Sequence, residues 1–341
     1  MLARQIGSHF TRAIATPPPT LARTFSSSHP HRMPSPTLTH LQTALAKLTP
    51  LELAESAWDN VGLMAEAPEA RDGKLAEGEA RKVYLCIDLT TAVCSEALSD
   101  PSTTAILSYH PPIFRGLKSF TLANPLQASL LRCISSGVSV FSIHTAADNC
   151  VGSNNDFMAS GLLQAAGVET DADGMVRPGQ GKGSKALKEA SSPPEGHEGA
   201  GHGRFVDLLE GGGRKLTRDA AVQAVKKRLG LKYIQAAWSS SGPAEIRTIA
   251  ICAGSGGSVL GGVKADLYLT GEMSHHEILA ANAAGSHVFC CNHTNTERPW
   301  LAFFAPRLQA AMNETAAGDG ASAPKYEVVL SKEDKEPLQV V

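Results

Sequence analysis

An open α/β architecture, two similar halves each built on a mostly parallel sheet flanked by helices, is predicted by three observations on this 341-residue chain. Strand-like and helix-like segments alternate on both sides of a glycine-rich stretch, the pattern of βαβ units. The alternating segments have the same make-up in both halves. Three strand-like runs also end abruptly in side chains able to bind metal: Ile106 to Pro112 (I-L-S-Y-H-P-P), Val140 to Asp148 (V-F-S-I-H-T-A-A-D) and Val288 to Glu297 (V-F-C-C-N-H-T-N-T-E). In open α/β sheets the carboxyl ends of strands line the ligand crevice, so these runs predict a metal site there.

The elements follow in order. Residues 1–35 contain no acidic residue, and Arg4, Arg12, Arg23 and Arg32 are spaced through Ser, Thr, Ala and Leu. That composition predicts a mitochondrial presequence, the alternative being a tail ahead of a second start at Met33 in a cytoplasmic or nuclear protein. The first half spans residues 36–170. Leu38, Leu41, Leu45 and Leu48 recur at helical spacing and stop at Pro50. Strand Val83 to Ile87 leads to a helix capped by Thr90, then come strand Ala105 to Tyr109, a helix from Pro125 to Ser136 stopped by Gly137, strand Val138 to Ile143 and a helix through Phe157 and Leu162. Residues 171–203 hold eight glycines and only Met175, Val176 and Leu187 as large apolar residues, which predicts a flexible linker with no core of its own. In the second half, residues 204–341, a helix from Thr217 to Leu229 is followed by strands at Tyr233 to Trp238, Ile246 to Cys252 and Asp266 to Leu269. A helix at His275 to Ala284, strand His287 to Cys291 and a last helix to about Ala311 complete it.

Composition excludes several classes. A hydrophobic content of 43% suffices for packed cores, yet no apolar run approaches the roughly 20 residues that cross a bilayer. Basic and acidic residues number 31 and 33, so no global field attracts a polyanion, and 5% aromatics leave little stacking surface for single strands. Generic nucleic-acid binding is not expected. Seven scattered cysteines form neither a zinc framework nor paired disulfides, which points to a reducing compartment. Cys290 and Cys291 sit on a strand whose alternating faces send the two sulfurs apart.

The chemistry-bearing side chains cluster at strand ends. Pro111 and Pro112 stop the ladder after His110 and stiffen its turn. Asp148 follows His144 by four residues and serves either as a ligand or as a helix or turn cap, while His144 fits an orienting role behind a ligand. For Glu297 two arrangements are open. Thr294 and Glu297 can form a capping box, or Thr296 can cap a helix with Pro299 in its first turn, leaving the Glu297 carboxylate free beside His293. Glu272, His275 and His276 add a carboxylate and two imidazoles at another strand end, as pocket wall, second layer or helix cap. Gly254-Ser255-Gly256-Gly257 lacks the residues of a P-loop and predicts a tight turn. His197 and His202 fall in the predicted linker as solvated residues. Nitrogen and oxygen donors without cysteine suit one or two divalent transition metal ions, Zn, Fe, Mn, Co or Ni, and a cation that acidifies bound water makes hydrolysis by metal-bound hydroxide the expected reaction.

Taken in order, Trp58 to Leu63 (W-D-N-V-G-L), Y-H-P-P-I-F, H-T-A-A-D, Gly201 to Arg204 (G-H-G-R), T-G-E-M-S-H-H and N-H-T-N-T-E-R-P resemble the GTP cyclohydrolase I type 2 homolog family, also called Nif-three-like, in its eukaryotic branch. The resemblance runs from about Leu38 to Pro337 and skips the glycine-rich stretch. It implies two related α/β domains around a dinuclear metal site, a self-assembled hexamer, a transcription-related protein partner, and hydrolysis of a small, nucleotide-like substrate. It also implies that His110 and Asp148 hold one metal, His293 the other, and that Glu297 bridges. The family often has a further histidine where this chain has Tyr109, a neutral phenol and poorer ligand, so the resemblance leaves the second metal weak or absent. A non-catalytic adaptor and a metal-handling protein are the competing classes.

Overall fold

The computed structural model describes residues 35–341 apart from Glu77 and Ala321, and Ser35–Val341 form one compact unit. The presequence-like segment lies outside the described residues except for Ser35, whose side chain accepts a hydrogen bond from Leu38 N and caps the Pro36–Leu48 helix.

Two sheets carry the fold. The first has the strand order Gly62–Ala65, Ser139–Ser142, Thr103–Ser108, Arg81–Cys86, Tyr326–Leu330, parallel throughout except for its antiparallel Gly62–Ala65 edge. Its central strands are buried on both faces, which explains why they read as continuous apolar runs rather than as alternation. The second sheet runs Gln235–Ala237, His287–Cys290, Leu267–Glu272, Thr248–Ser255, Arg204–Asp207, Ser184–Lys185. Its centre is parallel and its outer strands are antiparallel.

The helices do not respect the division at the glycine-rich stretch. The last helix, Arg298–Ala317, buries Trp300, Leu301, Phe304, Leu308 and Met312 against Leu41, Val83, Leu85 and Leu107 of the first sheet's core. The Asn154–Ala165 helix lies in the predicted first half, yet Met158, Leu162 and Leu163 pack into the core of the second sheet. Each sheet is therefore packed by a helix from the other predicted half, an exchange that local periodicity does not encode.

The expectation of a flexible linker over residues 171–203 is corrected. Met175 and Val176 are fully buried, Ser184–Lys185 extends the second sheet by pairing with Phe205 and Val206, and Lys188–Glu189 pairs with Gly201–His202. Some of its glycines serve close packing: at Gly183 (φ +79°) an added Cβ would lie 2.3 Å from Asp207 O, and at Gly201 2.2 Å from Lys188 O. His197 is buried, accepting from Val151 N and bonding Lys47 O. Cys290 and Cys291 belong to different cores, on opposite faces of their strand.

Candidate metal centre

Carboxyl ends of strands from both sheets meet at one place. Tyr109 and His110 leave the first sheet, with His110 N bonded to Ile87 O at 2.9 Å in the rigid turn that Pro111 enforces. Asn292 and His293 leave the second sheet. Asn292 takes φ +67°, a left-handed conformation that asparagine tolerates, and this turns the chain sharply so that His293 faces back over the strand ends.

The two imidazoles converge on one carboxylate. His110 Nε2 lies 3.5 Å from Glu297 Oε2, and His293 Nε2 lies 3.4 Å from Glu297 Oε1. The rings are 5.3 Å apart between centroids, and the three ligand atoms lie within 4.8 Å of one another. Behind each imidazole a second carboxylate holds the remaining ring nitrogen: Asp88 Oδ1 at 3.0 Å from His110 Nδ1, and Glu272 Oε1 at 2.8 Å from His293 Nδ1. Such pairing fixes ring orientation and raises ligand basicity.

Glu297 occupies the position just before the last helix, with proline in that helix's first turn. Of the two arrangements open in the sequence, the free carboxylate is the one observed, although Thr296 is not the cap. Its hydroxyl donates to His293 O at 2.6 Å and accepts from Gly254 N at 2.9 Å, locking the turn. Glu297 is 3% exposed, and its Oε2 makes no hydrogen bond. A buried carboxylate oxygen left without a hydrogen bond costs free energy unless something else satisfies it. Gly254 (φ +61°) shapes the space in front: an added Cβ would lie 2.8 Å from Glu297 Oε1 and 2.9 Å from His293 Nε2. The glycine read in the sequence as part of a tight turn is therefore a wall of the centre. Orphaned oxygen, clearance and mixed N and O donors all fit a divalent transition metal held by His110, His293 and Glu297.

Charges agree with that geometry. Burial disfavours the Glu297 anion, yet the two imidazoles beside it prevail and hold its pKa down at about 2. Burial likewise disfavours the His110 cation, but Asp88 and Glu297 raise it to about 10; His293 is raised to about 9 against the same burial by Glu297 and Glu272. Metal capture must expel these protons.

Asp148 stands beside the triad and outside it. It lines the adjoining cavity, but its Oδ1 accepts hydrogen bonds from the Tyr109 hydroxyl and from Asn154 Nδ2 at 2.8 Å. Burial raises its pKa, as it raises that of the fully buried Tyr109 phenol, which stays neutral. The tyrosine thus shares Oδ1 of Asp148, which a further metal bound through that oxygen would have to displace. His144 (φ +22°) bonds Asp59 Oδ1 at 2.6 Å through Nδ1, with its ring 5.2 Å from that of His110. It is an imidazole oriented by a carboxylate, and the Asp59 of W-D-N-V-G-L supplies the link.

His275 and His276 do not line the cavity. They open an exposed helix capped by Ser274 and Glu277, and turn their rings to each other at 5.4 Å. Only Glu272 of that group reaches the centre. Conversely, His202 is no solvated linker residue: it lines the cavity and pairs with Glu55. The flanking glycines of G-H-G-R were the available signal, since Gly203 (φ +53°) packs 2.7 Å, by an added Cβ, from Ile251 O. Arg204 is fully buried, donating to Asp156 and to the carbonyls of Gly201, Gly203 and Cys150. Asp334 and Glu336 had no sequence signal at all. Asp334 accepts from Ile87 N at 2.8 Å and pairs with Arg298, while Glu336 accepts from Thr294 N at 2.9 Å, so the C-terminal tail touches the loops carrying both histidines.

The sequence matches Duf34/NIF3 (NGG1p interacting factor 3) over residues 36–323. It is 38% identical to the Protein NIF3 homolog of Schizosaccharomyces pombe over 288 residues, covering 84% of this chain and 92% of that protein. Identity to the NGG1-interacting factor 3 of Saccharomyces cerevisiae is 34% over 310 residues, covering 89% and 96%. A Staphylococcus aureus hypothetical protein shares the fold at a TM-score of 0.64 and 21% identity, with 91% of this chain and 100% of that one covered. The chain belongs to the Duf34/NIF3 family.

Proposed function

We propose that this protein is a metal-dependent hydrolase of a small, nucleotide-like substrate. The observation that supports this most directly is the buried Glu297 carboxylate, whose Oε2 makes no hydrogen bond and faces only the His110 imidazole at 3.5 Å, set between two imidazoles that are each braced by a further carboxylate. His110, His293 and Glu297 would hold a divalent cation, which would supply Lewis acidity for acidifying water and polarising a substrate oxygen. The chain's own part is to hold that charge and to orient. Asp88 and Glu272 fix the two imidazoles, Glu297 stays ionised in a buried setting, and His144, braced by Asp59, presents an imidazole 5.2 Å from His110 for proton traffic. The adjoining cavity of about 360 Å³ is the right size for a small molecule.

The test is an element-resolved metal count on untagged protein, with turnover of a panel of bases, nucleosides and nucleotides by wild type and Glu297→Ala. Metal that disappears with Glu297, together with turnover lost in the variant, supports the hydrolase. Bound metal with no Glu297-dependent turnover overturns it in favour of a binding or metal-handling protein. The name of the Saccharomyces cerevisiae relative, an interacting factor, favours that second reading. Self-assembly into a hexamer and mitochondrial import directed by residues 1–35 are part of the proposal, checked by solution mass and by fusing that segment to a reporter. Among the described residues no helix is long and apolar enough to cross a membrane.

A further inference from the structure

The cavity beside the metal centre has a composition of its own. Carboxylates at Glu55, Asp148 and Glu297 line it, and among the described residues no lysine or arginine does. A polyphosphate entering this space would meet anions, with no guanidinium or ammonium to offset its charge. The basic side chains that line it are the imidazoles of His144, His202 and His293, and His202 is already paired with Glu55.

One wall carries an exposed indole, with a tilted phenyl ring beside it outside the cavity. Trp58 lines the cavity while 54% exposed, an unusual cost for an indole, and Phe114 (45% exposed) lies 6.1 Å from it ring to ring. The wall is mounted rigidly. The side chain of Asp59, the next residue, is buried and bound to His144 Nδ1, to Thr145 N at 3.2 Å and to the Thr145 hydroxyl, and Trp58 N bonds Glu55 O at 3.1 Å. A large exposed ring on a fixed mount, facing a small cavity, is a stacking platform. The Glu55–His202 pair and the Ser255 and Ser258 hydroxyls offer hydrogen-bonding groups for the edge of whatever stacks there.

We propose that this cavity selects a planar nitrogen heterocycle without phosphate, a nucleobase or nucleoside, stacked on Trp58 and excludes nucleoside polyphosphates. The proposal rests on the hydrolase reading only for the fate of the ligand, not for its binding. Calorimetry of the full chain, metal-free and zinc-loaded, with guanosine, adenosine, their 5′-triphosphates and tripolyphosphate provides the test. The expected result is nucleoside binding in both forms, with the triphosphates at least about tenfold weaker in the metal-free protein. Trp58→Ala weakens nucleoside binding by about tenfold or more, the usual worth of one base stack, whereas Trp58→Phe stays within about threefold. Circular dichroism and the metal count remain those of wild type in both variants. Triphosphates binding as tightly as nucleosides without metal, no nucleoside binding, or indifference to Trp58→Ala would each overturn the proposal. Nucleoside binding without hydrolysis sinks the hydrolase and leaves the proposal standing; Trp58-independent hydrolysis of a phosphorylated substrate does the reverse.

Discussion

Asp334 pairs with Arg298 at 3.1 Å, and through that pair the C-terminal tail braces both sides of the metal centre. The Asp334 carboxylate also accepts from Ile87 N, next to the Asp88 that orients His110. Arg298 in turn donates to the Thr294 hydroxyl at 2.7 Å, beside His293, and Glu336 caps the same threonine. Removing the shared carboxylate releases the Ile87 loop directly and loosens the Thr294 loop through Arg298, while Glu336 still holds Thr294. Asp334→Ala is expected to lower metal affinity by about 10- to 100-fold, the usual range for groups that orient ligands. Competition with a fluorescent zinc chelator measures it, and unaltered affinity would show that the tail is a bystander.

Gly254 carries a second prediction. In Gly254→Ala the new Cβ is both strained, at φ +61°, and driven against Glu297 Oε1 and His293 Nε2. Strain alone costs about 1–3 kcal/mol. Gly262 is the control, with φ +81° and open space around its Cβ position. Both alanine variants should lose stability in denaturant titrations, and only Gly254→Ala should also lose metal by elemental analysis. Equal metal content in the two would mean that the centre has more room than the distances indicate.

Gly254 and Asp334 show how much was legible in the sequence. Strand ends were readable because buried parallel strands are short apolar runs, and His110, His293 and Glu297 stood at those ends as abrupt polar residues. Glu297's free carboxylate was one of two readings that helix-start signals allow. Gly254 was visible as a turn former, but its role depends on side chains some 40 residues away that no local pattern names. Asp334 is one acid in a charged tail, and its partners at residues 87 and 298 are set by tertiary packing alone. The glycine-rich 171–203 stretch misled for a related reason: low apolar content signals disorder only where glycines are free, and here Gly183 and Gly201 are seated against backbone.

Tyr109 bears on how many metals the candidate centre is expected to hold. Its hydroxyl donates to Asp148 and accepts from Asn154 Nδ2 at 2.6 Å, an arrangement that satisfies Asp148 without a cation. Wild type is therefore expected to hold one metal per chain, and Tyr109→His to gain a second by pairing a new imidazole with Asp148. Tyr109→Phe gains none and loses about 1–3 kcal/mol, because Asp148 is left short of a donor in a buried place. Inductively coupled plasma analysis distinguishes the cases; two metals in the wild type would refute the assignment.

Metal-free protein should show a stability that depends on pH through the centre itself. The His110 and His293 values lie above the ordinary 6.5, at about 10 and about 9, so their contribution is complete below about pH 6.5 and is lost as pH rises through that range. Glu297 lies below the ordinary 4.5, at about 2, so its contribution is present above about pH 4.5 and is lost as pH falls toward 2. Both are complete only between those limits. Urea titrations of metal-free wild type and Glu297→Gln at about pH 5.5 and about pH 9.5 give the measurement, because the variant lacks the anion that both imidazoles face. The stability advantage of the wild type should shrink from the lower pH to the higher. An advantage that stays constant or grows would show that the imidazoles are not held protonated by Glu297, and that the proton competition expected on metal capture is absent.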